Sequence, residues 1–99
     1  MAGNSVTDTA RALRRHRLRI RTVAVSFGAA VRSARRDLEV SAGERDALIE
    51  AWRAWTLAAL DRYAQDAQRL TESADAEEEG DCRALHAALA AAEHMVRGV

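Results

Sequence analysis

A helical spacing runs without interruption through the first 38 residues. From Val6 to Leu38, positions step alternately by four and three residues, which places them on one side of a single long helix. The ten positions are Val6, Ala10, Leu13, Arg17, Ile20, Ala24, Phe27, Val31, Ala34 and Leu38. All except Arg17 are apolar. A helix of this length cannot bury such a stripe alone, so the pattern predicts an elongated partner helix.

Helix-start signals predict two long helices joined by a short connection. A serine with an acidic residue three positions later has the form of a capping box, and this pattern occurs at Ser5 and at Ser41. The first helix is therefore expected over about residues 6–39 and the second over about residues 42–74. Because only a few residues separate them, we predict an all-α single domain built on an antiparallel two-helix hairpin.

The second helix has an apolar stripe of its own. Its members are Leu48, Ile49, Trp52, Thr56, Ala59, Leu60, Tyr63, Ala67, Leu70 and Ala74. Trp52 and Tyr63 lie near the centre of this stripe, and Trp55 lies at its edge. We therefore expect Trp52 to face Phe27 of the first helix across a shared seam.

The C-terminal part of the chain permits two interpretations. We expect an acidic connection over residues 75–81 and a shorter third helix over about residues 82–97, in which apolar positions again step by three and four. In this interpretation Gly80 ends the second helix and Asp81 caps the third. In the alternative, Asp75 caps the third helix and Gly80 is tolerated inside it. The sequence leaves both open.

Composition supports the helical class and reveals an uneven distribution of charge. The chain has 23 Ala, five Gly and no Pro, which is typical of an all-α protein. Residues 1–40 carry nine arginines and three acids, a net charge of +6, whereas residues 41–99 carry six arginines and twelve acids, a net charge of −6. The fifteen arginines without a lysine suit a GC-rich, actinobacterial genome.

No segment of the sequence is predicted to enter a membrane. None approaches the roughly 20 consecutive apolar residues that a spanning helix needs. Residues 22–31 follow a basic run and look like the apolar region of a signal peptide, but they lack leucine and their apolar positions fall on the helical stripe. We therefore expect no cleavable signal.

The polar residues form no pattern that predicts catalysis, a metal or a cofactor. His16, His86 and His94 lack ligand spacing, since even the closest two are eight residues apart. No glycine-rich phosphate loop or nucleophile motif occurs. Cys82 is alone, which excludes an internal disulfide, and it is expected to pack as a small apolar residue. We therefore expect a non-enzymatic protein.

The candidates for function are binding features. The candidate partner interface consists of Arg17, Phe27, Trp52, Trp55 and Tyr63. Trp55 is expected to be left for a second chain because interfaces favour tryptophan. Arg17 interrupts the apolar stripe, so it either extends along the edge of the stripe or pairs with an acid across an interface.

The arginine-rich start of the first helix permits a competing interpretation. Arginines 11, 14, 15, 17, 19 and 21 could bind nucleic acid or an acidic partner. However, they are spread around the helix and the chain as a whole is neutral. Nucleic-acid binding, as in a small intracellular regulatory protein, is therefore the alternative to pairing with a helical chain.

The layout of the chain resembles the Trp-Xaa-Gly family of type VII (ESX) secretion substrates. The resemblance covers the long first helix, the short connection at residues 41–43, the aromatic second helix and the acidic segment that follows it. The family's export signal is Tyr-x-x-x-Asp/Glu; here Thr71 stands at the tyrosine position and Asp75 at the acidic position, so only Asp75 matches the signal. Residues 38–41 stand where the family carries Trp-x-Gly.

The resemblance implies a fold, a set of partners and a destination. It implies a helical hairpin that pairs with a similar hairpin, either as a homodimer or as a heterodimer. It also implies recognition by a secretion ATPase, with Thr71 and Asp75 as the candidate export signal. The protein would then be secreted without a cleavable signal peptide; without such export it would be cytoplasmic.

Overall fold

The protein is all-helical. A computed structural model describes the backbone of residues 2–99 and the side chains of residues 8–99. Its elements, in chain order, are α1 (Ala2–Asp37), α2 (Ala42–Ser73), a short 3₁₀ turn (Ala76–Glu78) and α3 (Glu79–Gly98). The described part of the chain contains no β-strand.

The connection between α1 and α2 follows the local hydrogen-bonding signals. The last bond of the α1 pattern runs from the N–H of Leu38 to the carbonyl of Ala34 (3.2 Å), so α1 ends at Asp37 rather than at residue 39. Ser41 has an extended backbone, and its hydroxyl accepts a hydrogen bond from the N–H of Glu44 (3.2 Å). This N-cap satisfies one of the free donors of the first turn, and α2 begins at Ala42.

The start of α1 lies earlier than the sequence pattern indicated. The helix begins at Ala2, four residues before the expected position. Ser5 is therefore within the helix rather than at its N-cap. The side chain that would form the expected capping box lies outside the described residues.

The acidic connection is shorter than expected, because Asp75 acts as a cap. Its carboxylate accepts a hydrogen bond from the N–H of Glu77 (3.1 Å), and the carboxylate of Glu78 accepts one from the N–H of Asp75 (3.5 Å). This reciprocal capping box begins the 3₁₀ turn that leads directly into α3. Gly80 and Asp81 consequently lie in the first turn of α3, which begins at residue 79 and not at 82.

The core is formed by all three helices. Its buried members are Leu13, Ile20, Ala24, Phe27 and Val31 of α1, Ile49, Leu60 and Ala67 of α2, and Cys82, Leu85, Leu89, Ala92 and Val96 of α3. These residues follow the spacing of three and four that places them on one side of each helix. Since α3 contributes to the core as fully as α2 does, it is an integral part of the fold.

The helices pack into an elongated molecule that measures 59 × 18 × 17 Å. His16 near the start of α1 contacts Tyr63 of α2, whereas Ala34 near its end lines the same surface pocket as Trp52. This order of contacts is compatible with the expected antiparallel arrangement of α1 and α2. Contacts between α1 and α3 advance together along both helices, from the Arg14–Asp81 pair (3.9 Å) to the hydrogen bond from Arg35 to the carbonyl of Val99 (3.1 Å).

Candidate partner interface

Two of the proposed interface residues are used inside the chain. Phe27 is only 5% exposed and belongs to the core. The guanidinium of Arg53 lies 5.7 Å from the centre of its ring, a distance at which a cation is attracted to an aromatic face. Trp52 is half-buried and packs against the same core. Both side chains therefore contribute first to the packing of the monomer.

Tyr63 also makes an internal contact. Its ring meets that of His16 edge to face, with centroids 5.1 Å apart and an interplanar angle of 79°. This is a favourable aromatic geometry. The Nε2 atom of His16 is buried and has no hydrogen-bond partner among the described residues. The pair therefore forms a contact between α1 and α2.

Trp55 is placed differently from the other aromatic residues. Trp55 is 71% exposed, the largest fraction among the large hydrophobic residues whose side chains the structure describes. Leu48, seven residues earlier on the same side of α2, is exposed as well. A large apolar side chain in the middle of a stable helix gains little from contact with its own chain, so Trp55 is available to another one.

A groove between α1 and α3 forms a second exposed apolar surface. Its volume is about 610 Å³. It is lined by Arg14, Arg17, Leu18, Arg21, Ala24 and Val25 of α1 and by Ala88, Ala91, Ala92 and Met95 of α3. Leu18 and Val25 are 63% and 48% exposed. We refer to this surface as the α1/α3 groove.

The sequence pattern did not identify the α1/α3 groove. Leu18 and Val25 lie outside the stripe of α1, and the signal that could have identified them is their spacing of seven residues on another side of the helix. Arg17 lies on the stripe but is exposed, and it lines the groove. The sequence of α1 alone does not reveal the groove beside Arg17, because α3 forms its opposite wall.

The arginines that line the α1/α3 groove have few partners of opposite charge. Arg14 lies 3.9 Å from Asp81, at the limit of an ion pair. Among the side chains that the structure describes, none forms a hydrogen bond or ion pair with Arg17 or Arg21. The groove therefore combines an apolar floor with positive charge that the chain leaves largely uncompensated.

The two residues of the candidate export signal take part in hydrogen bonds at the end of α2. The hydroxyl of Thr71 donates to the carbonyl of Ala67 (2.8 Å) and lies 3.4 Å from Nε2 of His86. Asp75 caps the 3₁₀ turn. These contacts give both residues a role in the local structure of the connection between α2 and α3.

The described residues contain no group of three or more His, Cys, Asp or Glu side chains that could hold a metal ion. Cys82 is a buried free thiol within the core, as its position on the apolar side of α3 predicted. Within residues 2–99, no helix is both long enough and apolar enough to cross a membrane. No protein-family model, curated protein or solved structure matches this chain.

Proposed function

We propose that this chain is a non-enzymatic binding protein that pairs with another helical chain. The fold we propose for it is an antiparallel hairpin of α1 and α2, with α3 packed against both. The observation that carries the proposal is the 71% exposure of Trp55 on α2. Burying an indole against a partner contributes a large apolar area and costs little side-chain entropy.

The partner is either a second copy of the chain or another helical hairpin. Self-pairing through Trp55 would give a dimer whose melting temperature rises with protein concentration. We expect light scattering across the micromolar range to detect such a dimer, and Trp55→Gln to convert it to a monomer. A monomer at all these concentrations would exclude self-pairing and leave the heterodimer.

The heterodimer is tested in cells of the native host. A photo-crosslinking amino acid placed at position 55 should capture one helical protein, because that side chain would lie in the interface. The matched control places the same amino acid at Asp61, an exposed position about 120° around α2 from position 55. Equal capture from positions 55 and 61 would contradict the proposal. It would also be contradicted if neither position captured a protein and the chain were a monomer in light scattering.

We propose type VII secretion as the setting of this pairing. The support is the resemblance of the layout and the acidic segment that begins at Asp75. The role of Asp75 as an N-cap makes the choice of variant important, since Asp75→Ala removes a cap as well as a charge. Asp75→Asn keeps an N-cap residue and removes only the charge.

The two variants separate recognition from stability in an export assay. If a secretion ATPase reads the carboxylate, Asp75→Asn should reduce export while the melting temperature stays near that of the unchanged protein. If only Asp75→Ala reduces export, the reduction results from lower stability of the protein, and Asp75 is not an export signal. Absence of export of the intact protein from its host would refute the secretion role and leave an intracellular binding protein.

Nucleic-acid binding is the second candidate. It is favoured by one observation: all six arginine side chains between residues 11 and 21 are exposed. Such a surface would bind duplex DNA or RNA with an affinity that falls steeply as salt rises. A titration with duplex DNA at two salt concentrations tests it, and binding that does not depend on salt would contradict it.

A further inference from the structure

The α1/α3 groove has the shape of a site for one more helix. Leu18 and Val25 form one wall, and the small side chains of Ala88 and Ala91 form the other. Small residues on a wall allow a helix to approach within the usual 8–10 Å between packed helix axes, a typical figure for such contacts. The lining residues of α1 run from Arg14 to Val25, a distance of about 16 Å along the helix or roughly three turns.

The charge of the α1/α3 groove restricts what fits it. Arg14, Arg17 and Arg21 step by three and four residues, so they form a row along the groove. A helix lying beside this row would place residues at the same spacing opposite the guanidinium groups. Acidic residues there would form ion pairs, whereas basic residues would be repelled.

A second copy of this chain is a poor occupant. Pairing two α1/α3 grooves face to face would bring the arginine rows of both copies together, and among the described side chains Asp81 is the one acid that forms an ion pair with these arginines. Like charges that are brought together in an interface destabilise it. The observed charge therefore disfavours the symmetric pairing of two grooves and favours an acidic occupant.

We propose that the α1/α3 groove binds an acidic amphipathic helix of another protein. The apolar side of that helix would pack on Leu18, Val25 and the alanines of α3. Its acidic flank would face Arg14, Arg17 and Arg21. The groove extends the proposed pairing function to a second surface, and because none of its lining residues belongs to α2, it does not depend on Trp55.

The test uses two synthetic helical peptides with the same leucine stripe. One carries glutamate along the flank of the stripe, and the other carries lysine at the same positions. The full-length protein should bind the glutamate peptide at least about tenfold more tightly in a fluorescence anisotropy titration, since several ion pairs form with one peptide and not with the other. Raising the salt concentration should reduce that ratio.

Variants of the arginine row test the origin of the preference. The double variant Arg17→Glu/Arg21→Glu should reverse it, so that the lysine peptide binds more tightly than the glutamate peptide. The matched control is Arg19→Glu, an exposed arginine of the same helix that does not line the groove. It should leave the order of affinities unchanged.

A second pair of variants tests whether the peptide binds in the α1/α3 groove. Ala91→Trp would fill the groove, whereas Ala90→Trp changes the adjacent exposed alanine that does not line it. Only Ala91→Trp should abolish peptide binding, and both variants should keep the circular dichroism spectrum of the unchanged protein. Trp55→Ala should bind the glutamate peptide normally, which separates this site from the interface on α2.

Four results would overturn the proposal. Equal binding of the two peptides would show that the arginines do not select charge, and failure of both to bind at millimolar concentration would show that the groove takes no helix. Binding that survives Ala91→Trp would place the peptide elsewhere. Tight binding of duplex DNA that is lost in the double arginine variant but kept in Ala91→Trp would assign the arginine row to nucleic acid.

Discussion

The two ends of α3 are stabilised by opposite charges. At its N-terminal end, Asp75 and Glu78 form the capping box, and Glu79 and Asp81 lie in the first helical turn. At its C-terminal end, Arg53 donates hydrogen bonds to carbonyl oxygens of the last residues, including that of Val96. Acids near a helix N-terminus and cations near its C-terminus both compensate the helix dipole.

The ends differ in how well their polar groups are satisfied. Arg53 is 15% exposed and also pairs with Glu50 at 3.2 Å, so its charge is well compensated. Glu78 is 4% exposed, and its Oε2 atom has no hydrogen-bond partner among the described residues. Burial raises the pKa of Glu78 above its ordinary value of 4.5; the hydrogen bond from the N–H of Asp75 opposes this rise, whereas the charges of Asp75 and Asp81 add to it. The polar groups at the C-terminal end of α3 are thus well compensated, whereas burial of the Glu78 carboxylate at the N-terminal end lowers the stability of the fold.

We expect the largest effect on the C-terminal end of α3 from a change at Phe27, because the guanidinium of Arg53 lies over its ring. Phe27→Ala would leave a cavity in the core and remove the aromatic face beneath the guanidinium. We expect a loss of about 3–5 kcal/mol in the free energy of unfolding, measured by urea denaturation. Val25→Ala, an exposed position of the same helix, is the control and should lose much less. Similar losses in both variants would contradict the burial of Phe27.

Arg53 itself should have the next largest effect. Arg53→Ala leaves partly buried carbonyl oxygens without a donor, and we expect a loss of about 2 kcal/mol, typical of hydrogen bonds from a charged group. Arg53→Lys should recover part of it, because lysine keeps the charge but not the planar fork. Arg36→Ala removes an exposed arginine whose one ion pair among the described side chains is with its neighbour Asp37, and it should be nearly neutral in the same denaturation experiment.

At the opposite end, loss of the Asp75 cap should cost less. Asp75→Ala should lower the free energy of unfolding by about 1 kcal/mol, the usual cost of an N-cap. Asp75→Asn keeps a capping acceptor and relieves the repulsion with Glu78, so it should lie within a few tenths of a kcal/mol of the unchanged protein. Thermal melts at neutral pH compare the two. Equal destabilisation would mean that the charge, not the cap, is required.

Glu78 should give the smallest effect and the one that depends on pH. Because its pKa is raised in the folded state, the folded protein holds the Glu78 proton more tightly than the unfolded chain does. The cost of ionised Glu78 is therefore fully present at neutral pH and disappears as the pH falls below the ordinary value of 4.5. Glu78→Gln should melt at a higher temperature than the unchanged protein at pH 7, and this difference should vanish in acid.

A neighbouring acid provides the control for Glu78. Glu77 lies in the same 3₁₀ turn but is exposed, so Glu77→Gln should not reproduce the pH-dependent gain. If Glu77→Gln and Glu78→Gln behaved alike, the effect would come from the net charge of the segment rather than from burial. A lower melting temperature of Glu78→Gln at pH 7 would mean that the ionised carboxylate stabilises the turn.

Local signals predicted some helix ends and not others. Ser41 was recognised as an N-cap because its hydroxyl needs only the N–H of Glu44, three residues away. The start of α3 could not be decided, since Asp75 and Asp81 are both good capping residues with suitable neighbours. In the structure Asp75 is the cap and α3 begins at Glu79, with Cys82 and Leu85 buried in the shared core.

The sequence by itself determined the helical class, the apolar stripe of α1 and the apolar side of α3, because a period of 3.6 residues converts spacing directly into position around a helix. Only the tertiary structure decided which positions are exposed. It buries Phe27 but exposes Arg17 on the same stripe, and it turns Leu18 and Val25 into one wall of a groove. Spacing along one helix defines its sides, whereas the neighbouring helices decide how much of each side they cover.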